Sequence, residues 1–489
     1  MTSTSPIVAP AVPVPLPTAV PIGRYMGLLL APGMGTYAFN AVAVTMPQVR
    51  QDLGASEVQL ELVVAGYGIP FAVFLILGGR LGDRFGRHLL FTIGVIGFLL
   101  SALACAVAPT IEALILARVA QGLAAALCTP QVLATIQATS AGPARVRAIA
   151  AFGASGGIGA ALGQVLGGAL AGATVGGAAG WRVTYLVIVV IAIVSVVWAR
   201  RSPRSRAHER VAIDLVGALG LAVGVFLVVS ALTVAPAVGW SWPVFAAMAV
   251  GAAALGALWA HQSRIERSGR VPLLPPSVLR LRPLQLGLLC AGLFFAGYSA
   301  ILYVFPRALE GGLGATPLVA GLALLPFAIV FAVTSLLLGP IQRRLGEATL
   351  AWGVGLQIVA LAAMGATAVL AWGPGLVLWL QPALLVLGAG QAMIFSPLTQ
   401  SVVREVPVEA AGLSGGMFGT VQQLGLSLGV VVIGGATTAV GWSGRAELLA
   451  GTGFDIVAAV AVLLLAVPLI LRRARADRAP GRVPDAGAH

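Results

Sequence analysis

Lysine is absent from this 489-residue chain, and acidic residues number only 16. Cysteine is held to three, histidine to four, and all charged residues together to 9%. Each shortage excludes something. Without lysine there is no G-x-x-x-x-G-K-[ST] phosphate loop, which removes an ATP-driven pump. Cys105, Cys128 and Cys290 fall in apolar stretches, so no disulfide framework is implied. His88, His208, His261 and His489 lie in loops, at helix ends or in the tail, and no H-E-x-x-H occurs. No metal site, cofactor or enzymatic constellation is therefore expected. A soluble protein carries roughly 25% charged residues, far above the value here.

What remains is apolar: 59% of residues are hydrophobic and the mean hydropathy is +0.99. A membrane-spanning helix needs about 20 mainly apolar residues. Fourteen candidate segments can be marked, the first beginning near Tyr25, the second near Val58 and the last near Phe454. An even count puts both termini on one side. With the N-terminus inside, only Arg50, Arg182, Arg307 and Arg445 fall outside and Arg118 lies within a helix, which leaves 24 of the 29 arginines inside. That is the asymmetry of the positive-inside rule. The net charge of +13 then reports topology in a lipid bilayer and gives no reason to expect nucleic acid. The proline-rich stretch before Arg24 lacks the basic start and apolar core of a secretory signal. It is expected to be a disordered cytoplasmic tail, and the chain a monomer.

The densest charge between two apolar segments is Gly79-Arg80-Leu81-Gly82-Asp83-Arg84-Phe85-Gly86-Arg87. Such a run predicts a short aqueous loop. Its pattern, G-x-L-x-D-R-x-G-R, resembles the signature loop between the second and third helices of major facilitator superfamily transporters. Gly339 to Gly346 forms a weaker copy at the end of helix 10, with both terminal glycines, an aliphatic third residue and the second arginine in common. The chain thus reads as six, two and six helices. This resembles the fourteen-helix drug:proton antiporter branch of that superfamily. The resemblance implies an all-α polytopic membrane protein with the major facilitator fold and two repeated halves. The expected divisions are a tail over 1–24, a first half over 25–200, an inserted pair over 201–284, a second half over 285–472 and a tail over 473–489. It also implies that Gly79, Asp83, Arg84, Gly86 and Arg87 form a conformational latch, with Asp83 facing the start of helix 13 near Ala410 to Leu413.

Three further segments carry mechanism. Arg118-Val119-Ala120-Gln121-Gly122 in helix 4 resembles the family motif R-x-x-Q-G, whose arginine is implicated in proton coupling. An intramembrane arginine is costly, so it faces a cavity or a partner. In helix 5, Gly159, Gly163 and Gly167 share a stripe suited to close packing and Gly168 adjoins it. The segment resembles the antiporter motif G-x-x-x-G-P-x-x-G-G, with Gln164 in place of proline. In helix 13, Gln422 and Gln423 project about 100° apart, so at most one faces a cavity; Gln423 is selected.

Helix 1 lacks the acidic residue common in this branch, with Ala38 at its position. Glu61 is then either the proton acceptor, paired with Arg118, or an interfacial residue at a helix start. Asp214, Asp455 and Glu112 are read as helix-start residues. The expected substrate-binding residues are Asn40, Tyr67, Gln121, Gln164, Gln391 and Gln423. The reading is a proton-exchanging exporter of amphipathic organic compounds in the cytoplasmic membrane, with neutral, zwitterionic or anionic substrates favoured over dications. An uncoupled facilitator or lipid exporter on the same fold stands as the alternative.

Overall fold

The computed structural model describes residues 20–171, 173–205, 214–239, 241–270, 272–406, 411–441 and 443–477. Most of both expected tails, residues 1–19 and 478–489, lies outside them. Fourteen long helices follow one another among the described residues. The first six are α1 (Met26–Leu53), α2 (Glu57–Phe85), α3 (Arg87–Ala106), α4 (Ile111–Thr139), α5 (Gly142–Leu170) and α6 (Gly180–Ala199). A pair follows, α7 (Leu215–Val238) and α8 (Trp242–Arg267). The last six are α9 (Arg282–Leu313), α10 (Pro317–Leu336), α11 (Thr349–Leu370), α12 (Gln381–Glu405), α13 (Ala411–Val440) and α14 (Arg445–Asp477). Among the described residues thirteen helical stretches are long and apolar enough to cross a membrane, and α7 carries a shorter apolar run, Val216–Leu232. In lipid each helix satisfies its own backbone, which is why so apolar a chain folds this way.

Helix ends are set by local chemistry. Ser56 caps α2 in a reciprocal box with Gln59, and Thr110, Asp214 and Thr316 cap α4, α7 and α10. The helix predicted to begin near Phe454 begins instead at Arg445, after Gly441 and Gly444 have turned the chain with positive φ. Asp455 is consequently ten residues inside α14 and not at its start. The reason for the error is plain: hydropathy locates the apolar middle of a helix, whereas its end is fixed by turn residues and a polar first turn. The charged run expected as an aqueous loop is instead the last two turns of α2, with Gly86 alone between α2 and α3 and with Arg80, Asp83 and Arg87 buried, because each finds partners in the packed structure; its copy makes a separate eight-residue helix, Leu338–Leu345.

The two halves repeat one packing scheme. In the first, α1 packs on α5 and α6, α2 on α4, and α3 on α4 and α6. In the second, α9 packs on α13 and α14, α10 on α12, and α11 on α12 and α14. Every pairing recurs eight helices later. Between the halves, α2 meets α13 and α5 meets α10, which are each other's counterparts under the same shift. The pair α7–α8 stands outside this scheme, with α7 laid along both α2 and α13.

Candidate functional site

The halves approach most closely at the arginine-rich end. There Gly79 of α2 meets Gly412 of α13, and a Cβ on either glycine would collide with the other's carbonyl. Only residues without side chains allow backbones so near. The Asp83 carboxylate accepts a hydrogen bond from the Gly412 N–H at 3.1 Å and is paired with Arg87 at 2.9 Å one turn later. Asp83 and Arg87 are both buried, and Arg87 also donates to Ser205. Of the expected latch residues, Arg84 takes no part: it is exposed and rests on the Phe85 ring. Arg80, not singled out from sequence, is buried and donates to the carbonyls of Pro272 and Leu273, which tethers α2 to the segment between α8 and α9.

A second bridge was also missed. Gln137 of α4 donates to the carbonyls of Val403 and Val406 and accepts from Ser414 at 2.7 Å. Above it, Phe395 of α12 is ringed by Phe152, Phe295, Phe331 and Phe418, with centroids 6.1–6.4 Å away. These five rings come from five helices of both halves. The only sequence signal for either feature is a polar or aromatic residue in an apolar run, which by itself has no direction.

Deeper in the first half, Arg118 is wholly inaccessible (0%). Its Nε donates to the Val63 carbonyl at 3.1 Å and its Nη1 to Gln121 Oε1 at 2.7 Å, and the guanidinium lies 4.5 Å from the Tyr67 ring centroid. Arg118 Nη2 and Gln121 Nε2 have no partner. No carboxylate pairs with this cation among the described residues. Glu61 is on α2, and its side chain lies outside the described residues.

The remaining expected residues form separate groups. Gln164 Nε2 donates to Asn40 Oδ1 at 3.2 Å, joining α5 to α1. Those helices touch because Gly159 lies against the Gly33 backbone, and Gly163 and Gly167 against Tyr37 and Ala41, while Gly168 is also buried. In the second half, Gln391 is buried with an unpartnered Oε1 and lines a small apolar cleft with Tyr298, Leu324, Phe327 and Leu387. Gln423 is half-buried beside Gly68, across the α2–α13 contact. The structure thus brings Arg118, Gln121 and Tyr67 together, and Asn40 with Gln164, but leaves Gln391 and Gln423 apart from both.

Two repeated six-helix halves, in contact through small residues and carrying buried polar groups at mid-depth, define a two-halved membrane transporter. The family model described as Major Facilitator Superfamily matches residues 28–218 and again 211–430, and the chain belongs to that family. It is accordingly a multi-pass membrane transporter and not an enzyme. Among curated relatives, a probable actinorhodin transporter of Streptomyces coelicolor is 34% identical over 401 residues, covering 80% of this chain and 68% of that protein. The puromycin resistance protein pur8 of Streptomyces alboniger is 31% identical, covering 82% of this chain and 78% of its own length. The cephamycin export protein CmcT of Amycolatopsis lactamdurans is 30% identical, covering 88% of both chains. The fold is also that of the human organic anion transporter MFSD10, at 16% identity and a TM-score of 0.66 over 91% of this chain and all of the other. The proton:xylose symporter XylE gives a TM-score of 0.62, also at 16% identity, over 90% of this chain and 94% of its own.

Proposed function

We propose that the protein exports amphipathic organic compounds across the cytoplasmic membrane in exchange for protons, its halves rocking about a site at mid-depth. Both termini and the arginine-rich end then face the cytoplasm. The observation that carries this reading is the contact of Asp83 with the Gly412 N–H. The charge of Asp83 is balanced by Arg87 within its own half, so the interface can open by losing hydrogen bonds, one to the carboxylate at about 1.5–3 kcal/mol and three at Gln137, without separating an ion pair. That suits an interface which must close and open in every cycle. The inserted pair over 201–284 is outside the rocking units, and the monomer is the working form.

The names of the relatives support organic metabolites and antibiotics as the substrate class. Arg118 Nη2 and Gln121 Nε2 offer two buried, unmatched donors, which favours neutral or anionic groups over dications. Arg118 serves coupling by its field at the centre of the first half, and Glu61 is the acidic candidate on that side. Movement of puromycin or actinorhodin by purified protein in liposomes tests the whole reading. Uphill movement under an imposed pH gradient, abolished when an ionophore collapses it, is the expected result. Downhill movement indifferent to the gradient would make the protein a facilitator.

A further inference from the structure

The second half buries a carboxylate for which the reading above has no use. Asp455 lies about 15 Å along α14 at 1.5 Å per residue and is wholly inaccessible. Its Oδ1 accepts from Gln357 Nε2 of α11 at 2.9 Å, and its Oδ2 has no partner. Gly297 of α9 faces it so closely that a Cβ there would collide with Oδ1. The pocket is therefore made for a carboxyl group, with glycine on one side and a single neutral donor on the other.

No cation compensates it among the described residues. The helices α11 and α13, both packed against α14 or its partner α9, carry no ionisable side chain. On α9 the ionisable residues are Arg282, Cys290, Tyr298, Tyr303, Arg307 and Glu310. Arg307 is engaged by Glu447 at 2.7 Å, two turns of α14 away from Asp455, and Cys290 donates to the Val462 carbonyl. Glu347 lies on the turn that meets α14 at the arginine-rich end, and α14 itself adds Arg445 at its start and Arg472, Arg473, Arg475 and Asp477 in its last two turns, ten or more residues from Asp455 along the helix. A lone carboxylate held out of water by one neutral amide is a poor home for an anion and an adequate one for the neutral acid.

The position also links charge to the apolar cleft of the second half. Tyr298, the next residue of α9, lines the cleft that holds Gln391, and Gln357 packs against Gly390 beside it. The back of the cleft wall is thus the face that touches Asp455. Charging Asp455 demands water or a shift of α9, and either changes that wall.

We propose that Asp455 is the group that binds the exchanged proton. With the arginine-rich end closed, as here, its carboxyl carries the proton; as that end opens it releases H⁺ to the cytoplasm and is left as the carboxylate, with no other bond made or broken. This rests on the antiport reading, and the experiment separates the two. Full-length protein in liposomes is compared as wild type, the exposed first-turn variant Glu112→Gln and the near-isosteric Asp455→Asn, with puromycin as probe. Wild type and Glu112→Gln should accumulate it against a pH gradient, whereas Asp455→Asn should lose accumulation and keep gradient-independent exchange. Infrared difference spectra of the same samples should show a titrating carboxylic acid band absent from Asp455→Asn alone. Gln357→Leu should move the pH at which that band titrates. Coupled transport by Asp455→Asn, or an unchanged band in it, overturns the assignment while leaving antiport intact. A wild type indifferent to the gradient overturns antiport, and with it any coupling role for Asp455 even where the band titrates.

Discussion

The two halves share a packing scheme and bury opposite charges. Among the described residues, the first holds a cation, Arg118, with no acid paired to it, and the second an acid, Asp455, with no base paired to it. They do not occupy equivalent places, since the counterpart of α4 is α12, where the buried polar residues among those described, Gln391, Ser396, Thr399 and Ser401, are all neutral. Packing repeats because it depends on small residues and interhelical fit, which tolerate many sequences. Charge does not repeat because each buried ion is an isolated expense that only a function justifies. The same contrast holds for the loops: Asp83 is buried at the interface, whereas Arg343, its counterpart in the weaker copy, is exposed.

The strongest way to break the comparison is to neutralise the first half. Arg118→Ala should abolish transport of puromycin in liposomes, with the fold checked by thermal unfolding. Arg118→Lys should not restore it, because an ammonium lacks the planar fork that reaches Val63, Gln121 and the Tyr67 face together. Normal transport by Arg118→Ala would reduce Arg118 to a packing residue. Next in size is Asp83→Asn, which puts a neutral amide in place of the buried carboxylate paired with Arg87 and should cost about 3–5 kcal/mol of stability, read from unfolding in detergent. Gly412→Val should follow. Its side chain would overpack the contact with Gly79 by about 1–3 kcal/mol and bias the halves apart. Labelling of a Gln137→Cys reporter by a membrane-impermeant reagent, applied from the arginine-rich side, should then rise. Smallest is Arg343→Ala, expected to fall within about 0.5 kcal/mol of wild type in the same unfolding assay because the residue is exposed. A large effect there would show that both copies of the loop work as latches.

Much of the architecture was legible in the chain because lipid imposes a crude rule. Apolar length marks a span, and arginine on alternate loops marks its direction. The charged run from Gly79 to Arg87 was legible as the junction of two spans, but the aqueous loop expected there is a helical and largely buried segment. Within it, however, sequence ranked Arg84 with Asp83 and passed over Arg80. All three are charged and near one another, and only the position of α13 and of residues 272–273 separates a buried contact from a wet one. Asn40 and Gln164 were named one by one from different helices, and their hydrogen bond follows from the glycine contact of α1 with α5.

Alone, the sequence determined that the protein crosses the membrane many times, and where two charged motifs and one intramembrane arginine stand. Those are sums over a segment, or properties of a residue in its own helix. The tertiary structure decided the rest: that Asp455 is buried against Gly297 and Gln357, that Gln137 bridges the halves, and that five phenylalanines meet at Phe395. Each of these depends on what lies opposite, and a helix does not encode the face of its neighbour until the two are packed.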